Sequence, residues 1–95
     1  MASFTVRVEL RDANWEQYKK LYERMAAEGF TDVIRDTNTG KAYKMPPGEY
    51  NYIGSLTRAT VLEKAERAAS GVVKDYAVLV TESVGRTWAN LSPVT

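Results

Sequence analysis

Phe4, Val6, Val8 and Leu10 alternate with Thr5, Arg7, Glu9 and Arg11. Strict two-residue alternation over 4–11 predicts a half-buried strand with one apolar and one polar face. The period then changes. Trp15, Tyr18, Tyr22, Met25 and Ala26 recur at three- and four-residue steps, with Leu21 beside them, and predict one apolar helical stripe. Asp12 or Asn14 caps the first N–H groups, Glu16 suits the positive end of the dipole, and Gly29 supplies a left-handed stop. The helix is expected from about Trp15 to Glu28.

Phe30 to Asp36 reads as a second strand, ended by the turn-forming run Asp36-Thr37-Asn38-Thr39-Gly40. Residues 41–45 return as a short arm until Pro46-Pro47-Gly48 breaks it, and Glu49 to Gly54 is a third strand. A second helix starts at a Ser55 or Thr57 cap, or at a Thr60/Glu63 capping box. Its stripe of Val61, Leu62, Ala65, Ala68 and Ala69 is narrow and suits close approach to a sheet, and Gly71 ends it. Val72 to Glu82 is apolar on both faces, the character of a central or covered strand.

The order β-α-β-β-α-β predicts an α+β fold. Its compact solution is a ferredoxin-like sandwich, an antiparallel sheet with both helices on one face. At 95 residues, 1–95 forms a single domain, with 84–95 a C-terminal tail whose Trp88 and Leu91 fold back over the sheet or reach a partner. No apolar run approaches a membrane span, so no membrane partner is expected. Residues 1–10 enter a strand with no charged leader and apolar stretch, which makes a cytoplasmic location the expectation.

Composition narrows the chemistry. The chain has no Cys and no His, so thiol nucleophiles, His bases and the usual zinc sets are excluded. Catalysis would need carboxylates, Tyr, Lys, Arg or Ser/Thr, with Mg²⁺ as the metal such groups can hold. A net charge of +1 gives no global field for a polyanion, so RNA binding needs a local basic patch.

Three constellations offer chemistry. Glu9 and Asp12 stand where the first strand opens into a loop, a place for a base or a metal, or simply for a solvated residue and a cap. Arg7 and Arg11 on the polar strand face, with Lys41 and Lys44 on the arm, can pair phosphates, although Glu9 lies between the two arginines. Tyr50 and Tyr52 are two apart and share a strand face. Beside Arg7 and Arg11 on an open face they would stack bases; beside Phe4 and Val6 they would be core.

From YERMAAEGFTDVIRD through GEYNYIGSLTRATVLEKAERAA, the chain resembles the GhoS-type antitoxins of type V toxin–antitoxin systems. The likeness lies in a helix ending before Gly29-Phe30, a strand running into an acidic turn, and an aromatic strand entering the Ser55-Leu56 helix start. It implies a ferredoxin-like endoribonuclease that cleaves a toxin messenger RNA. The family's catalytic acid would fall on Asp12 or Glu9, and its helix-1 basic residue near Lys20 or Arg24. The GRTW tail has no counterpart in that pattern. Two other readings stand beside it: a non-enzymatic homodimer formed through the C-terminal strand and tail, and a small-molecule enzyme using the open sheet face.

Overall fold

A computed structural model describes residues 2–94. In chain order it contains β1 (Ala2–Leu10), α1 (Trp15–Ala27), β2 (Val33–Arg35), β3 (Ala42–Lys44), β4 (Glu49–Gly54), α2 (Arg58–Ser70) and β5 (Tyr76–Ser83). The result is a small α+β fold with two antiparallel sheets, one ordered β4-β1-β5 and the other formed by β2 and β3. No helix among the described residues is long and apolar enough to cross a membrane.

The alternation in β1 decides the layers. Its even-numbered residues Phe4, Val6, Val8 and Leu10 are buried, in register with Tyr52 and Tyr50 of β4 and with Val80, Val78 and Tyr76 of β5. Leu21 and Met25 of α1 and Val61, Ala65, Ala68 and Ala69 of α2 join the same core, so both helices cover one sheet face. Burying each large apolar side chain stabilises the fold by about 1.5–3 kcal/mol.

Helix α1 begins at Asn14, whose Oδ1 accepts the Gln17 N–H at 2.9 Å while Gln17 Oε1 accepts the Asn14 N–H at 2.9 Å. This reciprocal capping box leaves Asp12 outside the helix, in a turn at φ 53°. The stripe that faces the core is Leu21 and Met25, with Tyr18 half-buried beside them, not the run through Trp15, Tyr22 and Ala26: Trp15 is 73% exposed, and Tyr22 and Ala26 also face solvent. Both stripes have three- and four-residue steps. The aliphatic one is buried because Tyr and Trp keep polar tips near water. Tyr18 does so within the fold, its hydroxyl donating to the Leu10 carbonyl and accepting the Leu10 N–H at 3.0 Å. That oxygen stands in for β4, whose pairing with β1 stops at Arg7–Glu49.

β5 starts at Tyr76 and lies at the edge of its sheet, whereas the sequence pattern predicts a longer central or covered strand. β1 takes the centre, and Leu79 remains 63% exposed on the face away from the helices. The expected second strand contracts to three residues, with Thr31 bridging Asn51 of β4 ahead of it.

The arm after β3 turns back through Pro46-Pro47-Gly48-Glu49. Its closing bond runs from the Glu49 N–H to the Pro46 carbonyl at 3.0 Å, with Gly48 at φ 82°. A proline followed by a left-handed glycine is the type II turn signature. A Cβ at Gly48 would also lie 2.9 Å from the Val8 carbonyl oxygen. Gly48→Ala is therefore expected to lower stability by about 1–2 kcal/mol, read as a shifted urea midpoint.

The tail folds back. From the end of β5 it crosses the uncovered sheet face, where Arg86 donates to Thr5 Oγ1 at 3.2 Å and Asn51 Oδ1 at 2.9 Å. Trp88 then packs on Tyr43 with centroids 5.7 Å apart, and Ser92 and Val94 exchange backbone bonds with Lys44 and Ala42. The tail is thus a strap from β5 to the outer edge of β3.

Candidate functional site

Tyr50 and Tyr52 stand opposite Val6 and Phe4 and point toward the helices. Tyr50 is buried, and Tyr52 packs on Phe30 at 5.3 Å and Phe4 at 6.2 Å. An open-face stacking platform with Arg7 and Arg11 is therefore not formed. Register, which puts Phe4 beside Tyr52, settles what strand period leaves open. Arg7 does lie on the opposite face, while Arg11 is held by Asp75 at 2.8 Å and Glu9 at 3.5 Å.

A different arrangement appears beside α1. A groove of about 700 Å³ lies between the first two turns of the helix, the end of β1, and the arm carrying the type II turn. Trp15, Tyr18, Lys19 and Tyr22 form its helical wall. Lys44, Met45, Pro46, Pro47 and Gly48 form the opposite wall, Asp32 and Tyr50 lie between, and Arg7, Val8 and Glu9 add the strand. The residues on α1 are neighbours because helical neighbours recur at three and four. Those on the arm are held by the prolines and by the Val8 N–H to Gly48 carbonyl bond at 2.8 Å.

Its charges are arranged in pairs. Lys44 Nζ bonds Asp32 Oδ2 at 2.6 Å and lies 5.7 Å from the Tyr22 ring centroid. The Asp32 hydrogen bond raises the Lys44 pKa, so the ammonium stays charged. Lys19 Nζ lies 5.6 Å from the Trp15 ring centroid. Aromatic faces and cations thus line the groove together, with a second carboxylate oxygen beside the one that Lys44 occupies.

Burial, with Asp32, Tyr22 and Tyr18 nearby, pushes the Tyr50 phenol up to about 12. At neutral pH the group is a hydrogen-bonding hydroxyl and not a base. Between pH 10 and 12 the folded chain keeps a proton that the unfolded chain has lost, so stability falls as pH rises through that window. Phenolate absorbance during alkaline titration is expected to show one tyrosine of the six ionising last, and Tyr50→Phe should remove that step.

The proposed catalytic residues do not converge. Arg24 donates from Nε to the Ala68 carbonyl at 2.9 Å and from its NH2 group to the Arg67 carbonyl at 3.1 Å, satisfying carbonyls at the end of α2. It sits nine residues along α1 from Trp15, roughly 13–14 Å at helical rise. Glu9 is on β1 with Arg11 for a partner, and Asp12 is exposed in its turn. No three Asp or Glu side chains gather as a metal-ligand set among the described residues. Lys41 is exposed on the hairpin and outside the groove lining.

Of the sequence candidates, the groove brings together Arg7, Glu9, Lys44 and Tyr50; Trp15, Tyr22 and Asp32 complete it. The spacing of Trp15 and Tyr22 was readable, but it signalled core. Asp32 and Arg86 carried no local signal, since their roles arise from contacts made on folding. Comparison with protein-family models and with curated proteins finds no match for this chain.

Proposed function

We propose that the chain is an RNA-binding protein of the GhoS antitoxin type that receives an unpaired nucleobase in the groove beside α1. The observation that carries this reading is the pair of exposed aromatic side chains, Trp15 at 73% and Tyr22 at 44%, each with a lysine ammonium over its ring. Stacking platforms flanked by cations suit single-stranded nucleic acid. The base stacks on Trp15 or Tyr22, and its edge meets the Tyr50 hydroxyl and the remaining Asp32 oxygen, which accepts from an exocyclic amino group. Lys19 and Arg7 supply phosphate partners.

The ferredoxin-like topology belongs to the same proposal. The Thr31–Asn51 bridge on the outer side of β4 supports it, marking where a fourth strand of the β-α-β-β-α-β order would lie. A cytoplasmic site of action and cleavage of a toxin messenger complete the reading, with Glu9, which lines the groove, and Asp12 as its acids. The test is amide-shift mapping with a short single-stranded RNA, alongside incubation with a toxin-type transcript. Shifts clustered on residues 15–22 and 44–50 support the assignment; shifts elsewhere, or none at low salt, reject it. Cleavage unchanged in both Glu9→Gln and Asp12→Ala would remove those acids from the mechanism.

One observation favours a second reading, a homodimeric interaction module. β5 is eight residues long and lies at the sheet edge, so half of its backbone polar groups face away from β1, with Leu79 exposed beside them. Antiparallel pairing of two copies about Leu79 sets Val78 against Val80 and Tyr76 against Glu82, with no like charges opposed. This interface uses the strand without the tail, which is engaged within the chain through Arg86, Trp88, Ser92 and Val94. A dimer by sedimentation that Leu79→Lys dissociates would support it; a monomer at high protein concentration would not.

A further inference from the structure

Arg86 lies outside the α1 groove, in the strap that crosses the uncovered sheet face. One terminal nitrogen, NH1, is fixed by Thr5 and by Asn51, itself only 8% exposed and anchored through Nδ2 to the Val33 carbonyl at 3.3 Å. Both acceptors are neutral. No carboxylate pairs with Arg86 among the described residues, whereas Arg11 pairs with Asp75 and Glu9, and Arg67 with Glu28. A guanidinium has five N–H donors, and two acceptors at one nitrogen leave most of them free. Half-buried charges are ordinarily paired, because withdrawal from water is costly.

Arg86 borders a cavity of about 470 Å³ between the strap and the β2–β3 loop. Ser3, Ser83 and Thr87 add hydroxyl-bearing residues to its lining, and Arg35, whose NH1 donates to the Gly40 carbonyl, also borders it. Asp36 is also in the lining, with Oδ1 accepting the Asn38 N–H at 2.8 Å. Burial alone lowers the Arg86 pKa, with no acidic neighbour opposing it.

We propose that this cavity is an oxyanion site, in which a phosphate group accepts the free donors of Arg86 and completes its missing charge pair. The fork geometry of an anchored guanidinium matches two phosphate oxygens, and the cavity is wide enough for a phosphate with its ester substituent. The inference does not rest on the nucleobase reading, since it concerns the other sheet face and different residues.

Titration with inorganic phosphate at constant ionic strength, followed by nitrogen-15 shifts, tests it. The Arg86 Nε–H signal and the amides of Asn38, Gly85 and Thr87 are expected to move along one saturating curve, with chloride producing no such curve. Arg86→Gln should weaken phosphate about tenfold or more, and Arg86→Lys, which keeps the charge but loses the fork, should weaken it less. Because Arg86→Gln also loosens the strap, Asn38→Asp serves as a second variant. It adds a negative charge at an exposed lining residue, and should weaken phosphate while leaving the melting temperature unchanged. A phosphomononucleotide and a short RNA, titrated in parallel, distinguish a free phosphate from a backbone one. Absence of saturation in the wild-type protein, or equal phosphate affinity in wild type and Arg86→Gln, overturns the proposal.

Discussion

Phe4→Ala is expected to lower the unfolding free energy by about 3–5 kcal/mol, the largest stability loss of any single truncation considered for this chain. Phe4 is fully buried on the central strand, against Tyr52, which in turn packs on Phe30. Removing the ring deletes its transfer free energy and leaves a cavity under two helices that relax only in part. A domain of this size has about 5–15 kcal/mol in total, so the variant would sit near the edge of folding. Urea unfolding followed by circular dichroism checks this: the midpoint should fall sharply with little change in slope. Phe4→Leu, which keeps most of the volume, should cost much less.

Trp15→Ala is expected to have the largest functional effect. Base–aromatic stacking is worth about 1–3 kcal/mol per base, so affinity for single-stranded RNA should drop by about 5- to 150-fold. Stability should barely change, since Trp15 is mostly exposed and loses chiefly one surface contact with Lys19. This contrast separates a binding residue from a structural one. Phe4→Ala lowers stability first, whereas Trp15→Ala leaves the melt in place and weakens the complex. Labelled-oligonucleotide anisotropy beside a thermal melt reads both.

Much of the fold was readable in local periodicity. The alternation of 4–11 placed β1, GEYNYIG placed β4, and the two helices carried their own caps and stops. Three features needed long-range information. Tyr50 and Tyr52 had to share a face, but only pairing with Val6 and Phe4 made it the helix-covered one. Val78 and Val80 serve the core while Leu79 does not, so apolar residues on both faces of β5 suggested a central strand where an edge exists. Arg86 depends on Thr5 and Asn51, which lie 81 and 35 positions away, and no local pattern announces such contacts. The site divided likewise. Lys44 and Tyr50 were legible as candidates, but the groove uniting them with Trp15, Tyr22 and Asp32 is a product of the α1 docking angle and the Pro46-Pro47-Gly48 turn.

The central claim is that the groove beside α1 holds a nucleobase, and Trp15 is its natural reporter. The chain has two tryptophans, so Trp88→Phe leaves Trp15 as the sole indole emitter. Titrating that variant with a short single-stranded RNA should quench its emission along a saturable curve. The affinity should fall with added salt at a logarithmic slope of roughly −1.4, as the two phosphate contacts of Lys19 and Arg7 require. Emission that stays constant while RNA is bound, or no binding at low salt, would contradict the account.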